Sequence, residues 1–546
     1  MQVLLTTLNT KYIHKNLALR WLYVAAPDDV YVEIQEYTIN EALDAILLRM
    51  RLEKFDVIGI SVYIWNAELI KTWITLIKKI NPLIRIILGG PEVSYENDEW
   101  FQFPIDAVIQ GEGEQVFWDY LADKHPLAVK TGCGKNPYQA KTDLKWLETL
   151  TNPYFLPFDL PDINQRYLYI EGSRGCPHHC QYCLSSTDNH VRFFSLDYLF
   201  RIFDLLSQYQ IRQVKFLDRT FNVNNARALL LITYLNKMST KSNFHLELVA
   251  ETLSDELLAY LENELASDRF RFEIGVQSFN QTTLQAVGRY TDTKRLAEVI
   301  GKLRRHDNLL HTDLIAGLPF EDFRSFATSY NTLYRLAPHE IQVGILKLLK
   351  GTALRNQAEQ LRIDYNVTAP YEIIANPWLS AADLNQIKLV HRATEKCYNN
   401  QKLQHTLHEL VSYQRLAPFD LMLRLGQAIE RLPHPYQERE FYQSLIQELV
   451  PVVPYDLLSG LLAVDYYRGT KQKPSPLFEL IDYHSYLDVL SLNSMADQQM
   501  LDNYCLMTAV VYKNRRLVQL IVYNTKQMPA LRYIIDRENS QIKELL

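Results

Sequence analysis

Residues 172–186 read "GSRGCPHHCQYCLSS", and the run just ahead of them, "RYLYIEG", is apolar and aromatic in the manner of a strand. Three of the chain's six cysteines, Cys176, Cys180 and Cys183, fall in that loop as Cys-x3-Cys-x2-Cys. A short loop after a strand can wrap three thiolates around one small centre of soft metal. A structural zinc wants four closed ligands and a ferredoxin cluster takes four cysteines, yet no fourth cysteine is near. Two readings are open on the residues alone. Either His178, His179 or His190 completes a zinc tetrahedron, or the thiolates hold a 4Fe-4S cluster with one iron left for a substrate or cofactor.

From this loop onward, strand-like runs alternate with helix-length segments: "QVKFLD", "FHLELVAE", "RFEIGVQS", "LHTDLIAG" and "IQVGILKLL" follow "RYLYIEG". Six such units imply parallel strands with right-handed crossovers, and predict a partial (β/α)6 barrel over residues 166–355. Asp218, Glu247, Glu251, Gln277 and Asp313 stand at the strand ends and are expected to face one mouth. Asp218 is equally readable as a helix-capping or salt-bridged residue.

Ahead of the barrel, residues 1–125 alternate "QVLLTTLN", "VYVEIQEY", "FDVIGISVY", "IRIILGG" and "DAVIQGEG" with helical segments, which predicts a doubly wound parallel sheet. Ligands of such sheets lie outside the carboxyl ends of the strands, where Ser61, Gly89, Gly90 and Gly111 fall. Such folds also end strands on glycine without any ligand. A Pro- and Tyr-rich connection spans 126–165, and residues 356–546 read as a mostly helical domain with a hairpin in "LMTAVVYKNRRLVQLIVYN". The fold class is thus α/β with a helical C-terminal part.

Composition narrows the function. With 47% hydrophobic and 22% charged residues the chain is globular, and a net charge of -6 supplies no chain-wide field for nucleic acid or an acidic membrane. The N-terminus lacks a signal-peptide pattern and no apolar run reaches membrane-spanning length, so a cytoplasmic protein is expected. In that reducing compartment clustered cysteines serve metal or chemistry, whereas the isolated Cys133, Cys397 and Cys505 read as ordinary thiols.

"GCPHHCQYC" resembles the cluster motif of the radical S-adenosylmethionine enzymes, whose fold is a partial barrel. "FEIGVQSFNQTTLQAVGRY" and "HTDLIAGLPFED" are similar to stretches of the oxygen-independent coproporphyrinogen oxidase branch. The resemblance implies a 4Fe-4S cluster on Cys176, Cys180 and Cys183, with S-adenosylmethionine contacts at Gln277, Arg289 and Asp313. It puts Glu247 at the third-strand carboxylate of "FHLELVAETLSDELL", with Glu251 beside it, and Tyr182 where the adenine lies. Arg289 offers a planar fork to a carboxylate, and Asp313 can accept from ribose hydroxyls. In place of a glycine-rich second-strand motif stands "FLDRTFNVN", which resembles the subgroup with an N-terminal cobalamin-binding domain; there Asp218-Arg219-Thr220 would serve by backbone carbonyls and a side chain.

"SVYIWNAELIKTWITLIKKINPLIRIILGGPEVS" and "VIQGEGEQVFWDYL" resemble that cobalamin domain, which makes Ser61, Gly89, Gly90 and Gly111 candidate cobalamin contacts. The cobalt-ligating D-x-H-x-x-G string is not intact: "YIHKNL" has Tyr12 for the acid and Leu17 for the glycine, so His14 is not expected to be an essential ligand. The resemblance implies a 5′-deoxyadenosyl radical formed with a low-potential donor such as flavodoxin or ferredoxin, and cobalamin-dependent methyl transfer or a related change at an unactivated carbon. Alternatives are a cobalamin-independent radical oxidoreductase and a non-catalytic carrier of heme or cofactor. Arg289 and Asp313 argue for the enzyme, since a carrier need not hold S-adenosylmethionine. The C-terminal region resembles the accessory domain of an uncharacterized subfamily and is expected to cover the barrel mouth, shielding a radical from water.

Overall fold

In strand β1 (Gln2–Asn9) every residue from Val3 onward is buried, as expected of a parallel strand covered on both faces. It pairs in parallel with β2 (Tyr31–Thr38) and β3 (Val57–Ser61), and β4 (Arg85–Gly89) and β5 (Ala107–Ile109) extend the sheet. A short antiparallel β6 (Val129–Lys130) closes it in the order β2-β1-β3-β4-β5-β6. Leu4, Ile58, Ile86 and Leu88 pack on one face, while Val3, Leu5, Val57 and Ile87 pack on the other. The helix Ala67–Ile80 seals the first face with Ile70, Trp73, Ile74 and Ile77, spaced to put all four on one side. The strand order reverses between β1 and β3, which makes Asn9 and Ser61 the ends that flank the switch point.

This computed structural model describes residues 1–304, 308–413, 415–468, 473, 475–482, 484, 504–512, 517–524, 531–536 and 542–545. The chain forms two compact units, Met1–Asp322 with Ile345–Ser380, and Phe323–Gly344 with Ala381–Leu546.

The barrel sheet runs β7 (Leu168–Ile170), β10 (Gln213–Phe216), β11 (Asn243–Leu248), β12 (Phe270–Gln277), β13 (Leu309–Ala316) and β14 (Glu340–Ile345), in chain order across the sheet. The pairs from β7 through β13 are parallel. Between β7 and β10 lie β8 (Ser173–Arg174) and β9 (Arg192–Phe193), a two-residue antiparallel clasp. The two faces of β12 differ: Phe270, Phe272, Ile274 and Val276 are buried, and Arg271, Glu273, Gly275 and Gln277 are half-buried. That polar face carries the site.

In the second unit, helices Ala381–Ala393, Gln404–Ser412, Pro418–Glu430, Glu438–Leu449 and Tyr455–Tyr466 accompany an antiparallel sheet. Tyr504–Tyr512 and Leu517–Asn524 pair as the expected hairpin, whose turn at 513–516 lies outside the described residues. The hairpin is the centre of five strands that also include Leu480–Ile481, Leu531–Asp536 and Ile542–Leu545. Cys397 is buried there, and the side chain of Cys505 lies outside the described residues. Among the described residues no helix is long and apolar enough to cross a membrane.

Candidate active site

The clasp closes the cysteine loop at its neck, with Ser173 opposite Phe193 and Arg174 opposite Arg192. Inside the loop the Cys176 N–H donates to the Asp188 carbonyl (3.0 Å), and the Cys183 N–H to the Cys180 carbonyl (3.0 Å). The Gln181 N–H reaches the Val287 carbonyl at 2.9 Å and so ties the loop to the segment that carries Arg289. Cys176 and Cys180 are buried and Cys183 is half-buried. Burial raises the Cys176 thiol, although hydrogen bonds from the His178 backbone and the Thr220 hydroxyl pull it down, so the free thiol is disfavoured as an anion until a cation pairs with it.

A single tetrahedral zinc would draw its sulfurs to about 3.8 Å of one another. Among the described residues the one group of three metal-binding side chains with ligand atoms within 4.8 Å of one another is Glu273, His311 and Asp313. At least one pair of the three thiol sulfurs is therefore more than 4.8 Å apart. Cysteines that each bind a different iron of a cluster need no such convergence. Thr220, not singled out as a cluster neighbour from the sequence, places its Oγ1 3.7 Å from the Cys176 sulfur.

Arg289 comes to this loop from the segment that follows β12. Its Nη1 lies 4.0 Å from the Cys180 sulfur and its Nη2 donates to the Gly275 carbonyl, while its buried Nε has no partner among the described residues. Tyr182, Cys180 and Glu251 are its electrostatic neighbours. Burial pushes the Tyr182 phenol well above its ordinary range, with Arg289 opposing and Cys180 reinforcing the shift. Gln277 has φ 68° at a register shift of β12, and its amide lies across Gly275. Among the described residues, neither its buried Oε1 nor the buried Oε2 of Glu251 has a partner. Unmet donors and acceptors in one place are what a polar ligand would satisfy, and a positive φ at a non-glycine residue is strain of the kind kept at functional sites.

Further round the mouth, Asp313 is half-buried and shares a 3.0 Å hydrogen bond with His311 Nε2. Glu247 is pushed up to about 7 by burial, although the Arg219 guanidinium 3.9 Å away pulls it down. Asp218 is engaged by its own chain: its carboxylate accepts from the Gly172 N–H and the Ser173 hydroxyl, both at 2.7 Å, which fastens the end of β7 to the end of β10. Burial raises it to about 6 even so.

At the edge of the N-terminal sheet the four small residues are not equivalent. Gly90 has φ 106° and a Cβ there would stand 2.6 Å from the Val62 carbonyl oxygen; Gly111 has φ 86° and meets the Ala140 oxygen at 2.5 Å. The chain's own backbone requires glycine at both positions, whatever the sheet binds. A Cβ at Gly89 meets no heavy atom within 4 Å. Ser61 is buried, and its carbonyl accepts from the Thr7 hydroxyl at 2.8 Å. His14 shares a hydrogen bond of 2.5 Å with the Tyr169 hydroxyl. Burial and then Lys215 lower its pKa, which favours the neutral ring.

The loop after β5 joins this sheet to the clasp. Arg174 pairs with Glu112 (3.0 Å), Glu114 (2.7 Å) and Glu171 (2.9 Å), and Arg192 pairs with Glu112. Burial alone would raise Glu114; Arg174 more than offsets that and holds the carboxyl below its ordinary range.

Three family models match the chain: the B12 binding domain over residues 3–121, the radical SAM superfamily over 170–333, and a protein of unknown function (DUF4080) over 359–539. The 2-(S-pantetheinyl)-carbapenam-3-carboxylate methyltransferase of Streptantibioticus cattleyicolor is 26% identical over 320 residues, 52% of this chain and 46% of that protein. The cobalamin-dependent radical SAM methyltransferase TokK of Streptomyces tokunonensis is 24% identical over 324 residues, 53% of this chain and 47% of its own. The chain thus spans about half the length of the curated relatives it matches. Among solved structures, the cobalamin-dependent S-adenosylmethionine radical enzyme OxsB with aqua-cobalamin bound matches with a TM-score of 0.60 at 15% identity, over 85% of this chain and 80% of that one. The radical S-adenosylmethionine methyltransferase TsrM of Kitasatospora setae, with cobalamin and a [4Fe-4S] cluster bound, matches with a TM-score of 0.53 at 15% identity, over 68% and 76%. At these identities the two structures speak to the fold alone.

Proposed function

Because the chain belongs to the radical S-adenosylmethionine superfamily and carries a B12-binding domain ahead of its barrel, we propose that it is a cobalamin-dependent radical enzyme. In this reading Cys176, Cys180 and Cys183 hold a 4Fe-4S cluster. Arg289, Gln277, Glu251, Glu247, Tyr182 and Asp313 hold S-adenosylmethionine. The sheet edge at Gly89 and Ser61 receives cobalamin. The observation that carries the reading is the meeting of three loop cysteines with Arg289, whose Nη1 is 4.0 Å from the Cys180 sulfur and whose Nε lacks a partner beside the unmet oxygens of Gln277 and Glu251.

When bound, these groups supply reductive cleavage of S-adenosylmethionine and methyl transfer, or a related modification, at an unactivated carbon of a substrate. The chain's part is to bind and orient. The Arg289 fork presents charge to the methionine carboxylate, and its contact with Gly275 fixes the plane of the guanidinium. Asp313 offers a carboxylate oxygen to the ribose hydroxyls, and Tyr182 supplies an aromatic wall for the adenine. Glu247 and Glu251 add acceptors for the amino group. The partners are a low-potential electron donor, such as a flavodoxin or ferredoxin, and the substrate.

A second reading is a radical enzyme that works without cobalamin. Under it, the backbone alone accounts for the glycines at 90 and 111. Iron and cobalt analysis after anaerobic purification and reconstitution with cluster and cobalamin separates the two: both metals support the first reading, and iron without cobalt supports the second. Arg289→Ala and Asp313→Asn are each expected to weaken S-adenosylmethionine binding by about 1–3 kcal/mol, the worth of a charge-assisted hydrogen bond. Equilibrium dialysis against labelled S-adenosylmethionine measures this, and unchanged binding in both variants would show that the cofactor lies elsewhere.

A further inference from the structure

We propose that His311 is a positioning residue for Asp313, fixing one carboxylate oxygen so that the other is presented to the ribose hydroxyls of S-adenosylmethionine; this rests on the cofactor placement proposed above. His311 and Asp313 lie two residues apart on β13 and so share one face of the strand. His311 Nε2 is 3.0 Å from Asp313 Oδ1, and Arg271 Nη2 is 3.2 Å from His311 Nδ1. A guanidinium has only donors. Nδ1 therefore accepts, the ring proton sits on Nε2, and Nε2 donates to Asp313. The tautomer is set from below by a residue two positions before Glu273 on the neighbouring strand.

Glu273 completes the arrangement. Its carboxylate lies in the same 4.8 Å group as His311 and Asp313, but Oε2 takes His245 Nε2 at 2.8 Å. Burial raises Asp313, and a hydrogen bond that the Glu273 and Asp313 carboxylates share with each other raises it further, as a like charge beside it does, while each acid has one imidazole nitrogen, His245 on Glu273 and His311 on Asp313. A resident divalent cation at Glu273, His311 and Asp313 is the rival use of the same groups. The Arg271 guanidinium beside His311 opposes it, since a cation there would face a fixed positive charge and would displace the Nε2 proton from Asp313. The three residues come from adjacent strands, Glu273 standing opposite His311 in the register of β12 and β13.

The test uses the anaerobic, cluster-reconstituted full chain and two probes, S-adenosylmethionine and its analogue lacking the ribose 2′- and 3′-hydroxyls. His311→Leu is expected to weaken binding of S-adenosylmethionine about tenfold and to leave binding of the analogue unchanged, with iron content kept. His311→Gln retains an amide donor and should restore most of the loss. Arg271→Met approaches the relay from its other end and should move S-adenosylmethionine binding in the same direction, again without touching the analogue. If Asp313→Asn weakens S-adenosylmethionine but His311→Leu does not, the positioning role is wrong and the cofactor placement stands. If neither variant weakens it, the placement itself is wrong. Equal loss for both probes would reduce His311 to a structural residue and overturn the inference. So would a stoichiometric divalent metal, beyond the cluster iron, that disappears in His311→Leu.

Discussion

Cys176→Ala, Cys180→Ala and Cys183→Ala are each expected to emerge from anaerobic reconstitution without the iron and the visible absorbance of the wild-type chain. The effect should be complete rather than graded, because a cluster with one open iron has only three protein ligands to lose. The loop gives no substitute. Its backbone is held by the bonds to Asp188, Val287 and Cys180 whether or not the thiols are present, so the variants should fold and bind cobalamin as before. Iron and acid-labile sulfide assays beside the absorption spectrum measure the loss. Stoichiometric zinc without iron in the wild-type chain would sink both the cluster and the radical mechanism.

The second large effect concerns the N-terminal sheet, where the choice of glycine decides what an experiment means. Gly89→Leu is expected to abolish cobalamin retention while leaving the melting temperature and the iron content close to wild type. The new side chain starts where a Cβ meets no heavy atom within 4 Å, at the end of β4, on the edge where the corrin is proposed to lie. Gly90→Leu and Gly111→Leu answer a different question. Both force a side chain against carbonyl oxygens, of Val62 and Ala140, and onto a backbone at φ 106° and 86°, so both should lower stability whatever the sheet binds. His14→Ala should leave most of the cobalamin, since His14 is engaged with Tyr169. Cobalt content after desalting, read beside a melting curve, is the measurement. Full cobalt in Gly89→Leu would move the corrin away from this edge.

What could be read in advance was local. The cysteine loop follows a strand and carries its spacing within eight positions, and the strands announce themselves either by near-continuous apolar runs, as in β1 and β3, or by strict alternation, as in β12. The parts that were not legible depend on partners distant in the chain. Asp218 stands at a strand end like a ligand, but its oxygens go to Gly172 and Ser173, the former 46 residues away. The reason for a glycine at 90 or 111 lies in the carbonyl that its missing Cβ would strike, and no local pattern names Val62 or Ala140. The clasp of two-residue strands is too short to have a period. In the C-terminal sheet, Ile542–Leu545 is likewise short, and "IKEL" carries charge enough to hide a strand. His311 was visible only as the residue that begins "HTDLIAG"; its tautomer depends on Arg271, which belongs to another strand.

The pairing of Arg174 and Arg192 with Glu112 and Glu114 bears on how such a chain could be cut or recombined. The two arginines frame the neck of the cysteine loop, and the two glutamates belong to the sheet that precedes the barrel. A barrel expressed from residue 166 onward would keep Arg174 next to Glu171 but strip it of two of its three carboxylates, and would leave Arg192 without Glu112. Removing one side of a buried ion pair is far more damaging than never having had it. The N-terminal sheet is consequently not a detachable cassette. Grafting a different sheet in front of this barrel requires carrying Gly111-Glu112-Gly113-Glu114 with it, and any two-part expression scheme should divide the chain elsewhere.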